Sequence, residues 1–80
     1  MIVHGYVVPA EVEAAGLARM KDQFRASDIE DAVWPTMKVD RTTSNVGICH
    51  RIADRLIQRE RMAKRIKKAD KYPYWVWCGE

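Results

Sequence analysis

Cysteine is scarce: Cys49 and Cys78 are the two thiols in eighty residues. With no repeated spacing they cannot form the multi-bridge framework that staples small secreted domains, so both are expected to be reduced. Long apolar runs are missing as well; none approaches the roughly 18 residues that a membrane-spanning helix needs. The opening Met1-Ile2-Val3-His4-Gly5 lacks the basic start of a secretory signal, and the cytoplasm is the expected compartment. Glycine is sparse, and none of it forms a phosphate-cradling loop. His4 and His50 lie far apart, and Cys49 and His50 are adjacent rather than spaced to converge on a metal. A Cys-His nucleophile pair requires the two side chains to meet, but helical neighbours point about 100° apart. No metal, cofactor or small-molecule substrate is therefore expected, and no enzymatic activity. Internal repeats and low-complexity segments are absent too.

Eighty residues suffice for one domain and not for two. Hydrophobic residues at 48% and charged residues at 31% describe an ordinary globular chain rather than a disordered tail. The net charge of +3 conceals a division along the sequence. Residues 1–37 carry three Lys or Arg against six Asp or Glu, while residues 38–80 carry eleven against five. The first part is thus negative by three and the second positive by six, which together return the +3. A basic half is the electrostatic footprint of a nucleic-acid binder; a solvated basic surface is the plain alternative.

Residues 1–8, apolar and β-branched from Ile2 to Val8, are read as a short strand or an extended arm on the core. Pro9 as the first helical residue, with Glu11 and Glu13 in the first turn, starts a helix expected to reach about Lys21. Val12, Ala15, Gly16 and Met20 form its buried stripe, with Leu17 at the margin. Ser27-Asp28-Ile29-Glu30 has the spacing of a capping box and opens a second helix, expected to stop near Trp34 because Pro35 disfavours helical backbone before it. After a link over Thr36–Arg41 comes the strongest helical periodicity: Ile48, Cys49, Ile52, Ala53, Leu56 and Ile57. The opposite side of this long third helix carries Thr43, Ser44, Gly47, His50, Arg51, Asp54 and Gln58. Ile66-Lys67-Lys68, a turn at Ala69-Asp70-Lys71 and Tyr72 to Trp77 read as a strand, turn, strand hairpin. The rival reading continues the third helix to Lys68, since Arg59–Ala69 contains neither Gly nor Pro. Trp75 and Trp77 share one side of a strand and are expected to close the core, with Trp34 as a lid; Tyr72 and Tyr74 serve either the core or a stacking surface.

The order helix, short helix, long helix, aromatic hairpin resembles the winged helix-turn-helix domains of small bacterial and bacteriophage DNA-binding proteins. The resemblance covers Pro9 to Trp77 and rests on three stretches. These are Phe24 to Glu30 opening the second helix, Ala53 to Arg59 in the third, and Arg65-Ile66-Lys67-Lys68 with Trp75-Val76-Trp77 as the wing, placed at about residues 64–78. It departs at two points. Residues Arg59 to Lys64 hold no glycine between third helix and wing, and the link after helix two is longer than the three or four residues of a minimal helix-turn-helix. The fold class implied is α+β, mainly α: three helices plus a C-terminal β-hairpin.

The resemblance further implies a small DNA-binding regulator or accessory factor that takes double-stranded DNA as its partner, with a homodimer left open. In such a domain the third helix enters the major groove and its first residues meet the base edges. Thr43, Ser44, Asn45 and His50 would then be polar readers, Gly47 would admit close backbone approach, and Arg51 would pair with guanine. Helix capping is the equal alternative for Thr43 and Ser44, and a surface ion pair the alternative for Arg51. Arg41, Arg55, Lys64, Lys67, Lys68 and Lys71 would meet phosphates, the last three from the wing, where lysines otherwise guard a strand edge. Two further readings stand beside this one. A winged-helix module can bind protein without touching DNA, and a continuous helix over residues 43–68 would make a basic adaptor.

Overall fold

A computed structural model describes residues 1–79; Glu80 lies outside the described residues. The elements are β1 (Ile2–Val3), β2 (Tyr6–Val7), α1 (Ala10–Arg19), α2 (Ala26–Met37), α3 (Thr43–Met62), β3 (Ile66–Lys68) and β4 (Trp75–Trp77). Three helices and a C-terminal antiparallel hairpin make the expected α+β, mainly α, architecture.

The N-terminal segment is not one strand or arm but a hairpin. Ile2 pairs with Val7 and Val3 with Tyr6 across a two-residue turn. Both turn residues have positive φ, 48° at His4 and 80° at Gly5, as the primed turns that match strand twist require. The pleat then sends Val3 into the core and leaves Ile2 and Val7 outside.

Helix α1 begins at Ala10, with Pro9 as its extended N-cap, and ends at Arg19, slightly short of expectation. Its buried stripe is Val12 and Gly16, continued by Met20 just past the end. At Gly16 the backbone of α1 lies directly against side chains of both α2 and α3. A Cβ there would lie 2.6 Å from Leu56 Cδ1 and 3.2 Å from Val33 Cγ1, so only a hydrogen fits between α1 and its neighbours.

Both expected ends of α2 require correction. The N-cap is Arg25 rather than Ser27, and the reciprocal carboxylate is that of Asp28, which accepts from the Arg25 amide at 2.9 Å. Arg25 is fixed there because Phe24 is held in a β-bridge to Trp75, which leaves the next residue extended and ready to cap. At the other end the helix passes through Pro35 to Met37. Pro35 forfeits one backbone hydrogen bond, but one more turn brings Met37 into the core beneath Val33 and packs Trp34 against it. The Thr36 hydroxyl donates to the Val33 carbonyl at 2.7 Å, and Lys38 at φ 53° turns the chain out.

Neither Thr43 nor Ser44 caps α3. Thr42 does, accepting the Asn45 amide on its hydroxyl at 3.1 Å from an extended backbone. The far end excludes the continuous-helix reading. Lys64 takes φ 62°, the Lys64 amide donates to Arg61 O at 3.0 Å, and the Arg65 amide donates to Glu60 O at 2.9 Å. This is the paired-bond pattern of a Schellman stop, so Lys64 occupies the position where a glycine is usual and missing here.

Strand β3 then pairs with β4 in the register Ile66 to Trp77, Lys67 to Val76 and Lys68 to Trp75. The Phe24 and Trp75 backbones exchange both hydrogen bonds, at 3.0 and 2.6 Å, pinning the hairpin to the α1–α2 junction. One core results, lined by Val12, Met20, Phe24, Ile29, Val33, Ile52 and Leu56, with Trp34, Trp75 and Trp77 packed at its edge as expected.

Candidate nucleic-acid interface

Helix α3 is 20 residues long, and its outer surface is set by period. Cys49, Ile52, Ala53, Leu56 and Ile57 are buried; Thr43, Ser44, Gly47, Arg51, Asp54, Arg55, Gln58 and Arg61 are exposed. At the start of the helix, Thr43, Ser44, Gly47 and Arg51 line one open hollow together with Ile48 and His4 from the turn of the N-terminal hairpin. A Cβ on Gly47 would meet nothing within 4 Å, so packing does not demand this glycine and the helix backbone there lies bare. Among the described residues, Arg51, Arg55 and Arg61 form no ion pair.

Two of the six expected base readers are occupied elsewhere. The Asn45 side-chain amide donates to the Asp40 carbonyl at 2.7 Å, bracing the loop between α2 and α3. His50 faces α2, with its Nδ1 3.2 Å from Glu30 Oε2. The expected phosphate contacts divide in the same way. Arg41 lies over the ring of Trp34, 5.4 Å from its centroid, beside Glu30 and Asp31. Lys67 and Lys68 are neighbours on a strand and so project from opposite faces of the hairpin. Lys68 borders a hollow next to the start of α2, whereas Lys67 points away from it. Lys64 and Lys71 are exposed at the two bends of the hairpin region.

The sequence reading missed the most constrained charged group. Glu60 continues the α3 stripe one turn beyond Leu56 and is only 2% exposed. Its carboxylate accepts from Arg65 Nε at 2.5 Å, Arg65 Nη2 at 3.1 Å and Arg59 Nε at 3.0 Å. The Arg65 hydrogen bonds, reinforced by Arg59 and opposed by burial, hold this carboxyl below the ordinary range. Arg59 also donates to Glu13 at 2.7 Å, tying α3 to α1, and that bond raises its own pKa. Arg59 and Arg65, two of the eleven cations of the basic half, are therefore structural. The available signal was a carboxylate at the i+3 and i+4 positions of an apolar stripe, with Arg59 beside it and Arg65 five residues on.

Cys49 is buried against α2, and its thiol is pushed up to about 11, first by burial and then by Glu30 and Asp31. Among the described residues no group of three or more His, Cys, Asp or Glu side chains is placed to hold a metal ion, and no helix is long and apolar enough to cross a membrane. Comparison of the chain with family models, with curated proteins and with solved structures gives no match.

Proposed function

We propose that this protein binds double-stranded DNA in the manner of a winged helix-turn-helix domain, as a small regulator or accessory factor rather than an enzyme. The start of α3 lies in the major groove and the C-terminal hairpin lies along the backbone as the wing. One observation carries the reading: Thr43, Ser44, Gly47 and Arg51 share a single open surface at the beginning of a long helix, beside a stretch of bare backbone. Arg51 is the residue able to make two parallel hydrogen bonds to guanine, with Thr43 and Ser44 as shorter readers. Arg55 and Arg61 farther along the face, with Lys64, Lys67 and Lys71, supply phosphate contacts. Asn45 and His50 hold the helix in place rather than read bases, because their side chains bond Asp40 and Glu30.

A gel-shift titration on random duplexes tests this. Five or six phosphate contacts give a log–log salt slope of about −5, so affinity should fall roughly a thousandfold between 50 and 200 mM salt. Arg51→Ala should weaken binding by about tenfold, the low end of what one bidentate base contact contributes. No binding at low salt, or equal affinity of the Arg51→Ala variant, refutes the groove reading and leaves a protein-interaction module in its place.

A further inference from the structure

Between the tip of the C-terminal hairpin and the start of α2 lies a hollow of about 540 Å³, within the usual size range of small-ligand sites. It belongs to neither the α3 face nor the core. Its walls include the rings of Tyr72, 90% exposed, Tyr74 and Trp75. Cations border those rings. The Arg25 guanidinium lies over Tyr74, 5.7 Å from its centroid, and Lys68 projects into the same hollow from β3. Arg25 has a carboxylate neighbour in Asp28, but at 3.9 Å with half its side chain exposed, so it can turn toward another anion. Lys68 has no ion pair among the described residues, and Asp70 is the one acidic side chain on the rim.

Aromatic walls with cations at the edge suit a ligand that is planar, aromatic and anionic at once. An unpaired nucleotide has that chemistry. Every base presents a π-face, and stacking on one aromatic side chain contributes about 1–3 kcal/mol without regard to sequence. A phosphate supplies the anion that Lys68 and Arg25 would meet. A base inside a duplex has both faces covered by its neighbours and cannot enter.

We propose that this hollow binds an unpaired nucleotide, the base stacked on Tyr72 and Tyr74 and the phosphate held by Lys68 and Arg25. The nucleotide comes either from a single-stranded tail next to a duplex or from a free mononucleotide. The site lies on the hairpin that the groove reading sets along the backbone, but apart from the α3 face, so tail preference and blunt-duplex affinity report on the two readings separately.

The test compares a blunt duplex, the same duplex with a short thymidine tail, the tail strand alone, and free thymidine monophosphate as competitor. The expected result is tighter binding of the tailed duplex by on the order of tenfold, the equivalent of one stacked base. Tyr72→Ala should remove that preference and leave blunt-duplex affinity unchanged; the ring is too exposed for its loss to affect folding. Competition by the monophosphate identifies the free nucleotide as a ligand, and a tail preference without such competition restricts the site to strand ends. Equal affinity for blunt and tailed duplex, together with no binding of thymidine monophosphate by direct titration, overturns the inference while leaving the groove reading intact. So does a tail preference that survives Tyr72→Ala. Tyr72-dependent binding of the tail strand with no duplex binding sustains the inference and refutes the groove reading.

Discussion

Replacing Glu60 by Gln removes one negative charge and leaves the side-chain shape almost unchanged, which isolates the electrostatics of the α3 terminus. The native carboxylate takes three N–H donors from Arg59 and Arg65. A glutamine has one oxygen, and its amide group would point donors at donors. Each charge-assisted hydrogen bond contributes about 1.5–3 kcal/mol. The arginines are about half exposed and can return to water, so the expected cost is one such bond, roughly 2–3 kcal/mol. For a chain of this length the total stability is on the order of 4–12 kcal/mol, and the loss should lower the Tm by roughly 10–20 °C. Thermal denaturation followed by circular dichroism at pH 7 measures it directly. The pH dependence gives a second reading. Because folding lowers the Glu60 pKa, its stabilisation is complete above the ordinary glutamate value and is lost as pH falls through the folded value. The gap between native and Glu60→Gln proteins should be full above about pH 5 and should narrow as acid protonates the folded carboxyl, below the ordinary glutamate range. Glu60→Leu should cost less than Glu60→Gln, since an apolar side chain suits the buried position once the arginines are solvated. A Gln variant melting within a couple of degrees of the native protein, or a gap that stays constant in acid, would refute the reasoning.

Lys64 holds a left-handed conformation without being glycine, so Lys64→Gly should stabilise the fold by about 0.5–1 kcal/mol in denaturant titration. Loss of stability would show that the lysine side chain makes a contact of its own. The two thiols should separate under an aromatic disulfide reagent at pH 8. Exposed Cys78 should react at once, and Cys49, buried with its pKa pushed up to about 11, only after unfolding. Rapid reaction of both would contradict the packing of α3 on α2.

The parts legible in the sequence were those in which side-chain period and burial agree. The apolar side of α3 from Cys49 to Ile57, the stripe through Val12 and Gly16, and the Trp75 and Trp77 pair all landed in or against the core. The errors fell where a tertiary contact outweighs a local rule. Pro35 argued for a stop, but burial of Met37 carried the helix on. Ser27 and Glu30 have the right spacing for a cap, but the Phe24–Trp75 bridge placed the extended residue two positions earlier. His4-Gly5 had the composition of a tight turn inside what read as one strand. At the candidate site, Thr43, Ser44, Gly47 and Arg51 share a surface as their spacing implies, because helical geometry alone decides it. The diversion of Asn45, His50 and Arg41 depends on partners in α2 and the loop before α3, which no local pattern displays.

The reciprocal backbone bonds between Phe24 and Trp75 separate two jobs within the hairpin. Its bearing relative to the helices is set by main-chain atoms, which every residue type possesses, whereas its tip from Ala69 to Tyr74 is closed by main-chain bonds of its own. The exposed side chains at the tip, Lys71 and Tyr72 among them, can therefore be exchanged without re-aiming the strands. The molecule thus offers a fixed mount with an adaptable head, and variation at those exposed positions would change the surface presented while the body beneath stays the same.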